Sequence, residues 1–256
     1  MRIMRLLQGC LFDLFDPSIS YSGYWFLGGS KRFYSTKPET GKYSNTYKNE
    51  YKLTQEQRDS IIGILLADRF LERAKPTHNT RLRIDHAYPE QKEYVLSIHK
   101  LFALLVAIEP SINIRKADPR TRKIYKSISI KTLRFPCLNE FYDIFYKDKI
   151  KFVPLNIQDL LTPRGLAHLI MGDGFLHSQG VVIICTKSFT KEGVELLIAA
   201  LYSKFGIKAS LSKRTSSSGT VGLRIRISKV SMDNLITFLR STTPYFIPEM
   251  LYKLGV

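Results

Sequence analysis

The stretch LTPRGLAHLIMGDGFL, residues 161–176, has an earlier counterpart in LTQEQRDSIIGILLADRFL, residues 53–71. Each begins with Leu-Thr, runs through an apolar segment with helical spacing, and ends in a small residue, an Asp and an aromatic-aliphatic pair. Asp68 lies between Ala67 and Arg69-Phe70-Leu71, and Asp173 between Gly172 and Gly174-Phe175-Leu176, an offset of 105 residues from 68 to 173. An acid that ends an apolar helix, repeated in register, points to a duplicated chain with one carboxylate per copy.

The local signals around the two copies agree with that reading. Thr54 followed by Gln57 forms a capping-box pattern, and Ile61, Ile62, Leu65 and Leu66 supply an apolar stripe. The second helix is expected over Pro163 to Gly172, with Pro in its first turn, where a missing N–H costs nothing. Gly63 and Ala67, four apart, and His168 and Gly172, also four apart, are the positions expected at a seam between the two helices, since small residues permit close backbone approach.

Outward from these stretches the same kinds of element recur. Arg81 to Asp85 and Lys123 to Lys131 alternate with period two, as half-exposed strands do. Helices are expected from Gln91 to Leu105 and from Leu138 to Tyr146, with a Lys-rich connection from Lys147 to Thr162. In the second copy, Val181 to Cys185 reads as a strand buried on both faces, Val194 to Phe205 as a helix closed by Gly206, and Ile207 to Ser212 and Leu223 to Ser228 as alternating strands joined by Ser216 to Gly219. Met232 to Leu239 supplies a last helix. Tyr43 to Lys52 reads as a polar linker.

The chain has 256 residues, 44% of them hydrophobic, enough for a substantial core. Its 39 Lys and Arg against 22 Asp and Glu leave a formal charge of +17, which favours a polyanionic partner. No basic amphipathic helix suited to a bilayer interface is evident, so nucleic acid is preferred over membrane. Cys10, Cys137 and Cys185 contain no CxxC pair, and the five histidines lack ligand spacing, so neither a disulfide framework nor a zinc site is indicated.

The cations have a pattern. Arg81, Arg83, Lys208, Arg224 and Arg226 fall on the non-aliphatic face of strands, interleaved with Tyr125 and serines. Such a face can lie along phosphates and reach base edges in a major groove. Residues 1–52 differ from the rest: they are basic, serine-bearing and poor in acids up to Lys37, as a mitochondrial targeting segment is.

The segments IIGILLADRFL and LAHLIMGDGFL resemble the paired motifs of LAGLIDADG homing endonucleases, over about residues 53–254. LTP before the second motif, TKSFT at Thr186 to Thr190 and PYFIPEMLYKL at Pro244 to Leu254 are similar to the yeast mitochondrial omega-intron branch. The resemblance implies an α+β fold: a monomeric tandem αββαββα pseudo-dimer, residues 53–150 and 151–256, with two saddle-shaped antiparallel sheets on double-stranded DNA. It further implies Mg²⁺ held by Asp68 and Asp173, and a catalytic lysine at Lys151 in Lys151-Phe152-Val153-Pro154. Lys213, near a strand end, is the choice for the second lysine. The implied activity is site-specific cleavage of both strands of a long DNA target in the mitochondrial matrix. The alternative is a maturase, a splicing factor that binds intron RNA with the same fold. Arg69 departs from the small residue common after the first Asp; a guanidinium there either weakens metal binding or contacts the scissile phosphate.

Overall fold

The computed structural model describes residues 43–67, 69–119, 121–215, 219, 221–241 and 245–256. The targeting segment, Cys10, most of the Ser216 to Gly219 connection and Asp68 therefore lie outside the described residues.

The segment expected to be a linker is ordered and partly helical. Helix α1 (Asn45–Glu50) is capped by Ser44, whose side chain accepts from the Tyr47 amide. Tyr47 and Tyr51 are buried, and both rings meet Phe135 at centroid distances of 6.2 and 5.6 Å. The polar residues between the tyrosines masked an i, i+4 aromatic stripe, and that stripe docks the segment on the core.

Helix α2 (Gln55–Leu66) starts at the expected capping box, with Thr54 and Gln57 exchanging side-chain-to-backbone hydrogen bonds. The Gln57 side chain is buried and satisfied, donating to the Leu101 carbonyl at 2.9 Å and meeting the Tyr51 hydroxyl. After α2 come β1 (Phe70–Glu72), β2 (Arg81–Ala87), α3 (Lys92–Leu101), β3 (Ser111–Ile114), β4 (Lys126–Lys131) and α4 (Asn139–Phe145). A hairpin, β5 (Tyr146–Lys147) and β6 (Ile150–Lys151), and a single helical turn, α5 (Ile157–Leu160), lead to the second copy. That copy runs α6 (Pro163–Asp173), β7 (Gly174–His177), β8 (Val181–Cys185), α7 (Lys191–Phe205), β9 (Ala209–Thr215), β10 (Val221–Ile227) and α8 (Met232–Ser241). Each copy is thus αββαββα.

The two four-stranded sheets have equivalent orders, β1-β2-β4-β3 and β7-β8-β10-β9, and every pairing is antiparallel. Three strands were not anticipated. β1 and β7 have three and four residues, and β3 has four exposed residues, too few for a period to emerge. Lys123 to Tyr125 fall outside β4, although the Arg115 amide still donates to the Tyr125 carbonyl. β8 is buried over Val181 to Ile184, as its unbroken apolar run implied. Gly206 caps α7 with φ +64°, the left-handed conformation that favours glycine.

The motif helices are buried almost all round over Ser60–Leu66 and Gly165–Gly172, because they pack on one another and on the core around them. Their approach depends on missing side chains. A Cβ on Gly63 would stand 2.0 Å from the Gly165 carbonyl oxygen, and one on Gly172 would stand 2.5 Å from the Ala67 Cβ. Gly63, Ala67 and Gly172 stand at the seam as expected, with Ala67 against Gly172, and the departure is at the turn of Gly63. Gly165 is the small residue facing Gly63, while the Tyr94 hydroxyl of α3 lies 3.1 Å from both Nδ1 and the carbonyl oxygen of His168.

Candidate nucleic-acid interface and active site

Strand register decides which side chains share a surface. On the first sheet, Phe70 faces Arg83, Glu72 faces Arg81, and Arg83, Asp85 and Ala87 face Lys131, Ser129 and Ser127. Ser111 and Asn113 of β3 continue the row. On the second sheet, Arg224 faces Cys185 and Ser212, and Arg226 faces Ile183 and Ser210. Alternation puts Arg81, Arg83, Arg224 and Arg226 on the faces opposite the buried Leu82, Ile84, Ile225 and Ile227. Lys208, just before β9, and Tyr125, just before β4, share the parity of those polar faces and are exposed.

Aromatic rings support an arginine on each sheet. The guanidinium of Arg83 lies 5.4 Å from the Phe70 ring centroid and that of Arg224 lies 5.3 Å from Phe175. The two faces differ in acids. Glu72, on a strand the sequence reading missed, forms ion pairs with both Arg81 and Arg83, the latter at 3.1 Å. None of β7 to β10 contains an acidic residue, so the second face carries the less neutralised charge.

Each motif helix is followed directly by the first strand of its sheet. Asp173 is the last residue of α6, and its side chain is 17% exposed, open enough to meet a ligand. Ala67, which precedes Asp68 in the chain, packs against Gly172, which precedes Asp173. A helix C-terminus carries partial negative charge on its free carbonyls, and a carboxylate adds a full one, so this place attracts cations.

Three basic side chains converge there. The two-residue turn of the β5–β6 hairpin holds Asp148 and Lys149 at φ +51° and +65°, the conformation a tight primed hairpin demands. The turn places Lys151 so that its Nζ donates to the carbonyls of Leu65 and Arg69, at 2.9 and 3.0 Å, and lies 5.2 Å from the Phe189 ring centroid. Near the C-terminal end of the chain, a 3₁₀ turn over Pro248–Lys253 brings the Lys253 Nζ to 2.5 Å from the Met171 carbonyl. Burial lowers the Lys253 pKa to about 8, against the pull of Asp173, with Arg69 lowering it further. Arg69 is the third: its guanidinium lies 3.9 Å from Asp173 Oδ1.

Lys253 lies at the end of α6 although the sequence did not single it out. Its signal was present in PYFIPEMLYKL, but nothing in that string says that a lysine five residues after a proline turns inward. Lys213, the earlier choice, is exposed on β9 opposite Leu223, with the parity of Leu211 and Ala209. That is the face opposite the polar one, so register sets it apart from Arg224 and Arg226.

Behind the carboxylate the polar chain continues inward. Arg69 Nε donates to Nε2 of His86 at 3.0 Å, and a terminal guanidinium nitrogen lies 2.8 Å from Nδ1. His86 is buried, and burial, with Arg69 and Lys253 nearby, pushes its pKa well below the ordinary value. Its ring meets Tyr94 edge-on at 5.2 Å, and Tyr94 leads to His168. No equivalent follows the second motif, where Gly174 replaces Arg69 and an added Cβ would stand 2.6 Å from the Ile170 carbonyl oxygen.

Among the described residues, no cluster of three or more His, Cys, Asp or Glu is present. The donor character near Asp173 is that of hard oxygen, a carboxylate beside helix-end carbonyls, which suits Mg²⁺ or Ca²⁺ better than a soft ion. No described helix is long and apolar enough to cross a membrane.

Comparison with known proteins places this architecture. The model of the LAGLIDADG DNA endonuclease family matches residues 58–235. "DNA endonuclease I-ChuI" of Chlamydomonas applanata is 32% identical over 214 residues, covering 79% of this chain and 96% of that relative. "Cytochrome b mRNA maturase bI2" of Debaryomyces hansenii is 29% identical over 259 aligned residues, covering 99% and 94%. In three dimensions, the homing endonuclease I-WcaI bound to its DNA recognition sequence matches with a TM-score of 0.72 at 23% identity, over 86% of this chain and 95% of that one, a likeness of fold. With the family model spanning most of the duplicated region, and with the same fold recovered independently, the chain belongs to the LAGLIDADG DNA endonuclease family.

Proposed function

We propose that this protein is a site-specific double-strand DNA endonuclease acting as a monomer. The observation that carries the reading is the junction of the motif helices, where Asp173 ends α6, Lys151 reaches the end of α2 and Lys253 reaches the end of α6. One strand would be served by each half of this junction, and the two basic faces would hold the duplex on either side of it.

Asp68 and Asp173 are assigned as the carboxylates that hold Mg²⁺. The ion, when bound, makes a nucleophile of water and absorbs charge on the leaving oxygen. The protein residues position the DNA and its phosphates. Arg81, Arg83, Tyr125, Lys208, Arg224 and Arg226 contact the duplex, and Lys151 and Lys253 place positive charge where the pentacovalent phosphate gathers negative charge. Lys253 replaces Lys213 in this assignment. The basic, acid-poor composition of the chain up to Lys37 supports delivery to the mitochondrial matrix.

The test is incubation of the purified protein with DNA spanning intron-insertion junctions. Mg²⁺-dependent double-strand cuts are expected, lost in Asp173→Asn and in Asp68→Asn while DNA binding persists. Binding without cuts at every junction refutes the reading.

A second reading is favoured by one observation, the similarity over 99% of this chain to a protein named as an mRNA maturase. It takes the same basic faces to fold intron RNA. It requires RNA binding and splicing assistance that survive Asp68→Asn and Asp173→Asn together.

A further inference from the structure

The second acid already has a cation beside it, and the asymmetry of the two copies says why. After Asp173 the chain has no room for a side chain, since a Cβ on Gly174 would meet the Ile170 carbonyl oxygen at 2.6 Å. After Asp68 it has an arginine. That side chain crosses to the other copy and stops 3.9 Å from Asp173 Oδ1.

Its position is held rather than incidental. Arg69 Nε donates to His86 at 3.0 Å, the His86 ring packs edge-on against Tyr94, and the Tyr94 hydroxyl ends on His168 of α6. His86 shares the inner face of β2 with Leu82 and Ile84, so the guanidinium reaches back into the protein instead of outward along the DNA face. The arginine backbone is fixed as well, because its carbonyl accepts from Lys151. A guanidinium has five N–H donors and no acceptor, so it can pair with a carboxylate but cannot share a metal ion with it.

We propose that Arg69 competes with a divalent ion for Asp173. The proposal rests on the assignment of Asp173 as a metal-holding carboxylate. Arg69 is tied to a buried histidine, and the carboxylate its guanidinium meets is that of Asp173.

The experiment is a Mn²⁺ titration of the DNA-free full chain, read by electron paramagnetic resonance, for the parent, Arg69→Gly, Arg69→Lys, Asp173→Asn and the Arg69→Gly/Asp173→Asn double variant. Circular dichroism and thermal melting establish that each variant is folded. Arg69→Gly is expected to tighten Mn²⁺ binding by about tenfold, Arg69→Lys by clearly less, and the gain is expected to vanish in the Asp173→Asn background, as a direct coupling requires. Unchanged or weaker binding in folded Arg69→Gly overturns the proposal, as does a gain that persists without the Asp173 carboxylate. If the parent cuts no junction DNA, the nuclease assignment fails while the Mn²⁺ comparison still decides the competition.

Discussion

The Tyr94 hydroxyl stands 3.1 Å from both Nδ1 and the carbonyl oxygen of His168, so a side chain of the first copy ends on the motif helix of the second. Burial depresses the His168 pKa to about 3, with Arg164 adding to the effect. The histidine is therefore neutral in the folded protein. The unfolded chain takes up its proton near the ordinary value of about 6.5, so it binds more protons than the native state between that pH and about 3.

Stability should accordingly fall as pH drops through this window, by about 1 kcal/mol per pH unit from His168, with His86 adding in the same direction. Urea titrations between pH 7 and pH 4 measure it. His168→Gln removes the titrating ring, and its unfolding free energy should show a shallower slope than the parent; equal slopes would mean that this histidine is not the acid-sensitive group.

Gly63 faces the Gly165 carbonyl where a methyl group would sit 2.0 Å from oxygen. Gly63→Ala gains helix propensity, worth about 1 kcal/mol, but forces two backbones apart. Overpacking should dominate, for a net loss of about 2–3 kcal/mol. Thermal or urea unfolding reads this directly, and an unchanged midpoint would show that the helices are less closely packed at this turn.

DNA affinity should fall steeply with salt, through release of counterions from phosphates. The two sheets should contribute unequally. Arg224→Ala is expected to weaken binding and flatten the salt slope by about one counterion, while Glu72→Gln should tighten binding by releasing Arg81 and Arg83 from their shared acid. Binding isotherms at three or more salt concentrations test both; no gain from Glu72→Gln would show that the paired arginines already reach phosphate.

The two lysine assignments separate cleanly. Lys253→Met should reduce cleavage on the order of a hundredfold, equivalent to about 2.7 kcal/mol in barrier, with DNA binding retained. Lys213→Ala should leave cleavage rates within a few-fold of the parent. Single-turnover cleavage at saturating protein distinguishes them, and the reverse order would return the role to Lys213.

Much of this protein is local information. The duplicated motif, the capping box at Thr54, the left-handed Gly206 and the apolar run of β8 depend on neighbours a few residues away, so periodicity and composition report them. The strand faces of Arg81, Arg83, Arg224 and Arg226 follow from alternation alone. The helix at residues 45–50 is an intermediate case, because its tyrosine spacing is visible but its stability comes from Phe135, far along the chain.

What only the tertiary structure decided is which distant residues meet. Sequence offset pairs Gly63 with His168, but packing pairs Gly63 with Gly165 and turns His168 toward Tyr94. No spacing rule leads from Lys253 to Met171, 82 residues away, or from Arg69 to Asp173, since both contacts are long-range and are selected by burial and charge. The sequence determined that two acidic helix ends exist and that basic strands accompany them. The fold determined that one of those acids, Asp173, has an arginine of the other copy for company, because a glycine leaves no room on its own side and a buried histidine holds the guanidinium in place.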